Sequence, residues 1–382
     1  MLEYWQLPGP ASFLSAVAAD LIAGSSVVAC FPESPPADWL SALRHTTFQS
    51  SFSLERFKAP GAAPPLRVLV EEFSPEQTAI VRSVSDLVRL PQLQGRGILL
   101  DLNSEADWPA WHRFLLEFAD AVRRSDIRPS CRAVFLLPRV CSLTERLPVP
   151  EVALRVHSWV GAVNRLDLQL WAAQLLAGTS EPLWQRQLRA AIAVELALWD
   201  TELCSQACDL TLNQLVMPMN WLASFGHARG IAPSDGNTNV ASTATQHQRE
   251  FEGRLRYHSA WLAVHRRQDV IIRRVWQAQL GVLFPLLENQ RQELLVAHRN
   301  LWRLPWETSY GCIEQPEDLE LNHLADQLRA QRHCGLREIY EFVCWLRDMR
   351  NDLAHLTPVP SERLLQRRFQ SRFSCGLNCE SY

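Results

Sequence analysis

Arg350, Asn351 and His355 fall within one hexapeptide near the C-terminus, RNDLAH, and bring together the side chains best suited to chemistry in this chain. An imidazole exchanges protons near neutral pH, whereas a guanidinium keeps its charge and presents a rigid fork of donors. Asn351 and His355 are four apart, so on a helix they share a face, and Arg347 extends that face one turn back. Arg350 lies about 100° round the helix, but its long stem can carry the guanidinium to the same side. The pattern therefore predicts one polar ridge bearing a cation, an amide and an imidazole.

The element that must position this ridge is a helix over residues 336–356. Ile339, Phe342, Val343, Leu346, Met349 and Leu353 recur at steps of three and four, as a single buried stripe requires. Gly335 before it and Pro358 after it supply the boundary signals. The hexapeptide resembles the R-x4-6-H motif of the HEPN superfamily, in the form where Asn follows the Arg. That resemblance implies a small all-α domain that pairs two motifs across a dimer and cuts RNA without metal. In that family reading His355 exchanges a proton with the 2'-hydroxyl or the leaving oxygen, Arg350 holds the phosphate as charge develops, and Asn351 orients one of them.

Composition frames these expectations. The chain has 382 residues, 47% hydrophobic and 21% charged, so two or three globular domains are expected. A net charge of −3 excludes a globally basic nucleic-acid footprint, and any RNA must meet a local patch. Lys58 is the only lysine among the basic residues. Ten scattered cysteines form no disulfide framework, which points to a reducing cytosol. Neither a secretory leader nor a membrane span is expected, and the localisation expected is cytoplasmic.

Apolar strand-like runs at 25–31, 66–73, 97–102, 131–137 and 154–160 alternate with segments such as 108–124, which has helical periodicity. This order predicts an α/β domain over residues 1–162 with a parallel sheet covered on both faces. The domain resembles P-loop NTPases of the AAA and STAND kind: Leu99-Leu100-Asp101 looks like a Walker B strand, and CRAVFLLP looks like the strand that follows it. A Walker A loop needs a glycine-rich turn and a lysine on the phosphates. Lys58 has neither Gly before it nor Ser or Thr after it, and Leu7-Pro8-Gly9-Pro10 lacks every phosphate-binding element. The domain is thus expected to be P-loop-NTPase-like without Walker A, and the commoner reading of Asp101 is a strand-end cap or turn residue. No cofactor and no metal is expected.

Residues 163–225 read as a helical lid or connector, with Cys204 and Cys208 as buried small residues. The polar stretch 226–248 reads as a flexible linker. Beyond it, 249–302 reads as almost continuously helical, two helices broken near Pro285, with Trp261, Ile272, Val275, Trp276, Leu280, Leu283 and Leu287 on the buried face. Helices here and at 316–332 precede the motif helix, giving an HEPN-like helical domain over 249–360, followed by a basic tail at 361–382.

Arg266, Arg267, Arg273 and Arg274 are expected to form a basic face that, with Arg347, binds RNA, although a solvated helix face is the commoner explanation of such charge. The expected partners are RNA, a second copy through the HEPN-like domain, and other protein subunits. Two readings of function follow. One is a ribonuclease effector of a toxin or antiviral defence system, with the N-terminal domain as its regulator. The other is a noncatalytic scaffold built on a degenerate NTPase-like fold.

Overall fold

The run Ser26–Phe31, buried at every position, forms β1 near the middle of a five-stranded sheet. In this computed structural model the described residues are 4–366 apart from 33, 49–51, 60–62, 103, 142–148, 234–246, 310 and 332–333. They divide into two compact units, Met1–Asp167 and Leu168–Tyr382.

In the first unit α1 (Pro8–Ile22) leads into β1, followed by α2 (Trp39–Phe48), β2 (Leu54–Ala59), α3 (Pro65–Phe73), α4 (Val84–Val88), β3 (Gly97–Leu102), α5 (Trp108–Arg124), β4 (Val134–Val140) and β5 (Leu154–Ser158). The strand order is β2-β3-β4-β1-β5 and every pairing is parallel. Alternate residues serve two layers. Val28, Cys30, Ile98, Leu100, Phe135 and Leu137 join α3, α4 and α5 in one core, with Phe118 edge-on to Phe135 at 4.9 Å. On the other face Phe31 meets Phe13 of α1 at 5.8 Å. Gly9 at the start of α1 is required by close approach: its N–H donates to Asp167 at 2.8 Å, and a Cβ there would come 1.8 Å from the Ala162 carbonyl.

One expectation for this unit needs correction. Residues 66–73 are not a strand but helix α3. Pro65 sits in the first turn, where its fixed φ favours helix, and Arg67 pairs with Glu71 one turn on at 2.7 Å. The missing strand is β2, an edge strand in which Leu54, Phe57 and Ala59 are buried and the interspersed Glu55, Arg56 and Lys58 are exposed. Such alternation is the signature of a half-exposed edge rather than a continuous apolar run.

The second unit is helical: α6 (Arg165–Leu176, which crosses the boundary), α7 (Leu183–Ala197), α8 (Thr201–Cys208), α9 (Leu212–Val216) and α10 (Met219–Ala228). After the described residues resume come a hairpin of β6 (Gln248–Phe251) and β7 (Arg254–Tyr257), then α11 (Ser259–Val264) and α12 (Gln268–Ala297). A second hairpin, β8 (Trp306–Thr308) and β9 (Gly311–Ile313), precedes α13 (Leu321–Gln331), α14 (Arg337–Ala354) and α15 (Ser361–Leu364). Most of the stretch read as a linker, and the tail beyond residue 366, lie outside the described residues. The helices read as a connector belong to the same unit as the motif helix, because α7 packs along α12.

Residues 248–257 are a hairpin rather than helix, since Glu252 and Gly253 both have positive φ, 53° and 71°, the pattern of a type I' turn. α12 is one helix of 30 residues that continues through Pro285. Buried residues on both sides of the proline, Val275 and Leu283 before it and Leu286 and Leu287 after it, hold the helix together across the lost hydrogen bond. By length and apolarity α12 also has the composition of a membrane span, but its buried side carries Arg274, Gln279 and Gln290 and packs within the unit.

A buried ionic cluster ties α8 to α11. Asp200 caps α8 by accepting from the Leu203 N–H at 2.9 Å and accepts from His258 Nε2 at 3.0 Å. The Ala260 N–H points at His258 Nδ1, 3.2 Å away, which leaves the ring proton on Nε2. Burial alone would raise the Asp200 pKa, but the His258 hydrogen bond, the charge of Arg229 and the Leu203 N–H outweigh it and hold the carboxyl at about 2. A depressed carboxyl pKa adds stability that is complete above its unfolded value near 3.8 and is lost as pH falls through the folded value near 2. Acid titration followed by circular dichroism should show this loss, about 2 kcal/mol, between those limits, and Asp200→Asn should flatten it.

Candidate functional site

Helix α14 turns its apolar stripe inward, with Phe342, Val343, Trp345, Leu346, Met349 and Leu353 buried and Ile339 half-buried. Its C-terminal end is fixed by side chains from α12. Trp276 Nε1 donates to the Leu353 carbonyl at 2.8 Å. The fully buried Gln279 donates to the Val359 carbonyl at 3.0 Å and accepts from the Val359 N–H at 2.6 Å. From the other side Trp345 Nε1 donates to the Arg363 carbonyl at 2.8 Å, and Arg363 pairs with Asp352.

The helix stops in a Schellman turn. The Leu356 N–H donates to the Leu353 carbonyl at 3.2 Å and the Thr357 N–H to the Asp352 carbonyl at 3.0 Å. Leu356 occupies the left-handed position at φ 58°, where glycine is the usual residue, and is 61% exposed.

His355 is the C-cap residue of α14 and its imidazole is exposed, without a hydrogen bond among the described residues. Asn351 is half-buried one turn earlier, and its carbonyl accepts from the His355 N–H at 3.0 Å. Arg347 on the same face is held by the adjacent Asp348 at 2.9 Å. Arg350 turns to the flank, where Nη2 meets Glu320 Oε2 at 2.9 Å. It lines an open cavity of about 290 Å³ in which the charges are Glu288, Glu317, Asp318 and Glu320 against Arg291 and Arg350. Arg291 is itself committed to Glu288 at 2.9 Å and to the carbonyls of Glu317 and Leu319 at 2.9 and 3.0 Å. The motif thus presents its imidazole and amide at the helix end and its Arg350 guanidinium in an acidic recess.

The expected basic face divides. Arg266, in a left-handed turn at φ 57°, and Arg273 are exposed, and Arg267 is exposed and pairs with Asp269 at 3.4 Å. Arg274 is only 4% exposed and bonds Ser259 Oγ and the Tyr257 carbonyl, the latter at 2.7 Å. Its burial lowers the guanidinium pKa to about 10, against the opposing pull of Glu195. Arg274 therefore joins α12 to the hairpin and α11 and offers nothing at the surface. In the first unit Asp101 receives Arg56 Nη2 at 2.6 Å and Nε at 3.1 Å, so the Walker-B-like carboxylate is matched by a cation from the neighbouring strand.

Sequence reading missed the Asp200–His258–Arg229 cluster and the latch of Gln279 on Val359. Both join residues distant in sequence, and neither leaves a local pattern. The fold defines an α/β domain with a parallel sheet joined to a helical unit. No protein-family model and no curated protein matches the chain.

Leu356→Gly removes the Cβ penalty of the left-handed turn, about 1–2 kcal/mol, at a smaller cost in unfolded-state entropy. Denaturant unfolding should show a gain on the order of 0.5–1 kcal/mol. Gln279→Leu leaves a buried N–H and carbonyl without partners and should cost about 2–4 kcal/mol by the same measurement.

Proposed function

We propose that the helical unit is a HEPN-like, metal-independent endoribonuclease that works as a pair of copies, with the α/β domain as its regulatory, NTPase-like platform. The observation that carries this reading is the exposed imidazole of His355, on the end of a helix whose other side is locked in the core. A general base must be both reachable and rigidly carried. His355 is the proton-transfer group in this reading, Arg350 holds the phosphate, Asn351 orients, and the exposed Arg266, Arg267 and Arg273 with the half-buried Arg347 draw in the strand. A cytosolic toxin or antiviral effector with further protein subunits is the setting that the reading suggests.

A second reading, a noncatalytic interaction protein, is favoured by one observation. Arg350 is already paired with Glu320 in a recess where carboxylates outnumber guanidiniums. A phosphate entering there must displace Glu320.

The test is RNA cleavage by the full chain in the presence of EDTA. Cleavage should leave 2',3'-cyclic phosphate ends. His355→Ala should reduce it on the order of 10²- to 10⁴-fold, and Arg350→Ala on a similar scale, without the two losses adding. Glu320→Gln should raise it by freeing Arg350. A folded, self-associated protein that leaves RNA intact, with these variants indistinguishable from the parent, supports the scaffold and ends the enzyme reading.

The α/β domain has no phosphate loop with its lysine, and the Asp101 carboxylate is paired with Arg56. Calorimetric titration of the full chain with MgATP should show weak binding or none, and no hydrolysis. Turnover that vanishes in Asp101→Ala would overturn this.

A further inference from the structure

We propose that two copies of this chain pair antiparallel along α12, through a seam of Arg273, Gln277, Leu280, Phe284 and Glu288. The inference deepens the self-association in the proposed function and does not depend on cleavage.

These five residues are separated by steps of four, three, four and four, so they lie in one strip along the helix, the spacing of a packing seam. The strip faces outward. Arg273 is exposed, Phe284 is 41% exposed, and Gln277, Leu280 and Glu288 are half-buried. Ile272, Trp276 and Leu280, all expected on the buried face, are not in the core: Ile272 and Trp276 flank the strip, at 37% exposed and half-buried, and the half-buried Leu280 lies within it. The apolar pattern of α12 is therefore wider than the side that α7 and α14 cover. A scattered exposed apolar residue needs no explanation, whereas a continuous row along one helix does.

Charge selects the occupant. Around the N-terminal end of the strip stand Arg266, Arg267 and Arg273, with Asp269 the opposing charge. Around the other end Glu288, held by Arg291 at 2.9 Å, and Glu320, held by Arg350 at 2.9 Å, are joined by Glu317 and Asp318, so that end keeps an excess of carboxylate. A second copy laid parallel sets like charges together, and one laid antiparallel sets unlike charges together at both ends. Positions 273 and 288 are equally far from the point between 280 and 281. A two-fold axis there places Arg273 against the partner's Glu288, Gln277 against the partner's Phe284, and Leu280 against the partner's Gly281. The two ion pairs stand about 22 Å apart, fifteen residues of helical rise. A Cβ at Gly281 would meet open space, so the backbones can approach closely at the centre. Arg273 has no ion pair among the described residues and is free to make this one.

Analytical ultracentrifugation of the full chain across a concentration series tests the seam without RNA. A dimer is expected that Phe284→Glu converts to monomer while circular dichroism stays unchanged. Arg273→Glu and Glu288→Arg should each weaken association at least roughly tenfold, because each sets like charges against each other twice. The double variant should recover most of the parent affinity. A protein that is monomeric at every concentration overturns the seam, and cleavage of RNA by that monomer would show that the functional reading survives it. A dimer indifferent to Phe284→Glu places association on another face, and failure of the double variant to recover removes the antiparallel register.

Discussion

The second unit depends on the grip of α12 on the end of α14. Gln279 is a fully buried amide, and an unpaired amide in that position would cost several kcal/mol. It is tolerated because it satisfies both polar groups of one peptide residue, Val359, across eighty positions of sequence. An apolar contact can slide by a fraction of an ångström, whereas two opposed hydrogen bonds fix register. With Trp276 on the Leu353 carbonyl, the latch sets where α14 ends and hence where His355 emerges. The turn at Leu356 holds a conformation unfavourable for leucine because these contacts over-determine it.

Arginine supplies much of the remaining cross-linking. Arg189 reaches Glu181 and the carbonyls of Cys208 and Leu210, Arg274 reaches Ser259 and the Tyr257 carbonyl, and Arg291 reaches Glu288 and two further carbonyls. A planar fork with several fixed donors suits this task better than the single ammonium of lysine. A guanidinium buried on internal partners, as Arg274 is on Ser259 and the Tyr257 carbonyl, cannot be counted toward nucleic-acid binding. For that reason a run such as Arg273-Arg274 reads as a basic face in sequence and divides into one surface residue and one internal tie in the folded chain.

The same division governs what the sequence makes legible. The helix that carries the motif is evident because its stripe repeats over about four turns and its boundaries are marked by Gly335 and Pro358. The central strands are evident because burial on both faces makes them continuous apolar runs. Where one face meets solvent the signal weakens: β2 alternates and escapes notice, whereas α3 is short and apolar enough to pass for a strand until its prolines and the Arg67–Glu71 pair are weighed. The types and spacing of the motif residues were readable, but their partners were not. Nothing near Arg350 in sequence announces Glu320, which arrives from the turn before α13.

That pairing makes the electrostatics of the recess the deciding quantity for Arg350. Glu320 holds the guanidinium at 2.9 Å while half exposed to solvent, so the pair is worth little on its own and is open to competition from a stronger anion. What opposes a phosphate is the excess of carboxylate around it, Glu317 and Asp318 beside a Glu288 that Arg291 already holds, more than the one contact. Glu288 belongs both to this recess and to the outer strip of α12. A cation brought to Glu288 by a second copy would reduce the negative potential around Arg350 without touching it. Association along α12 and anion binding at the motif would then be linked through one carboxylate, and each would favour the other by the same free energy.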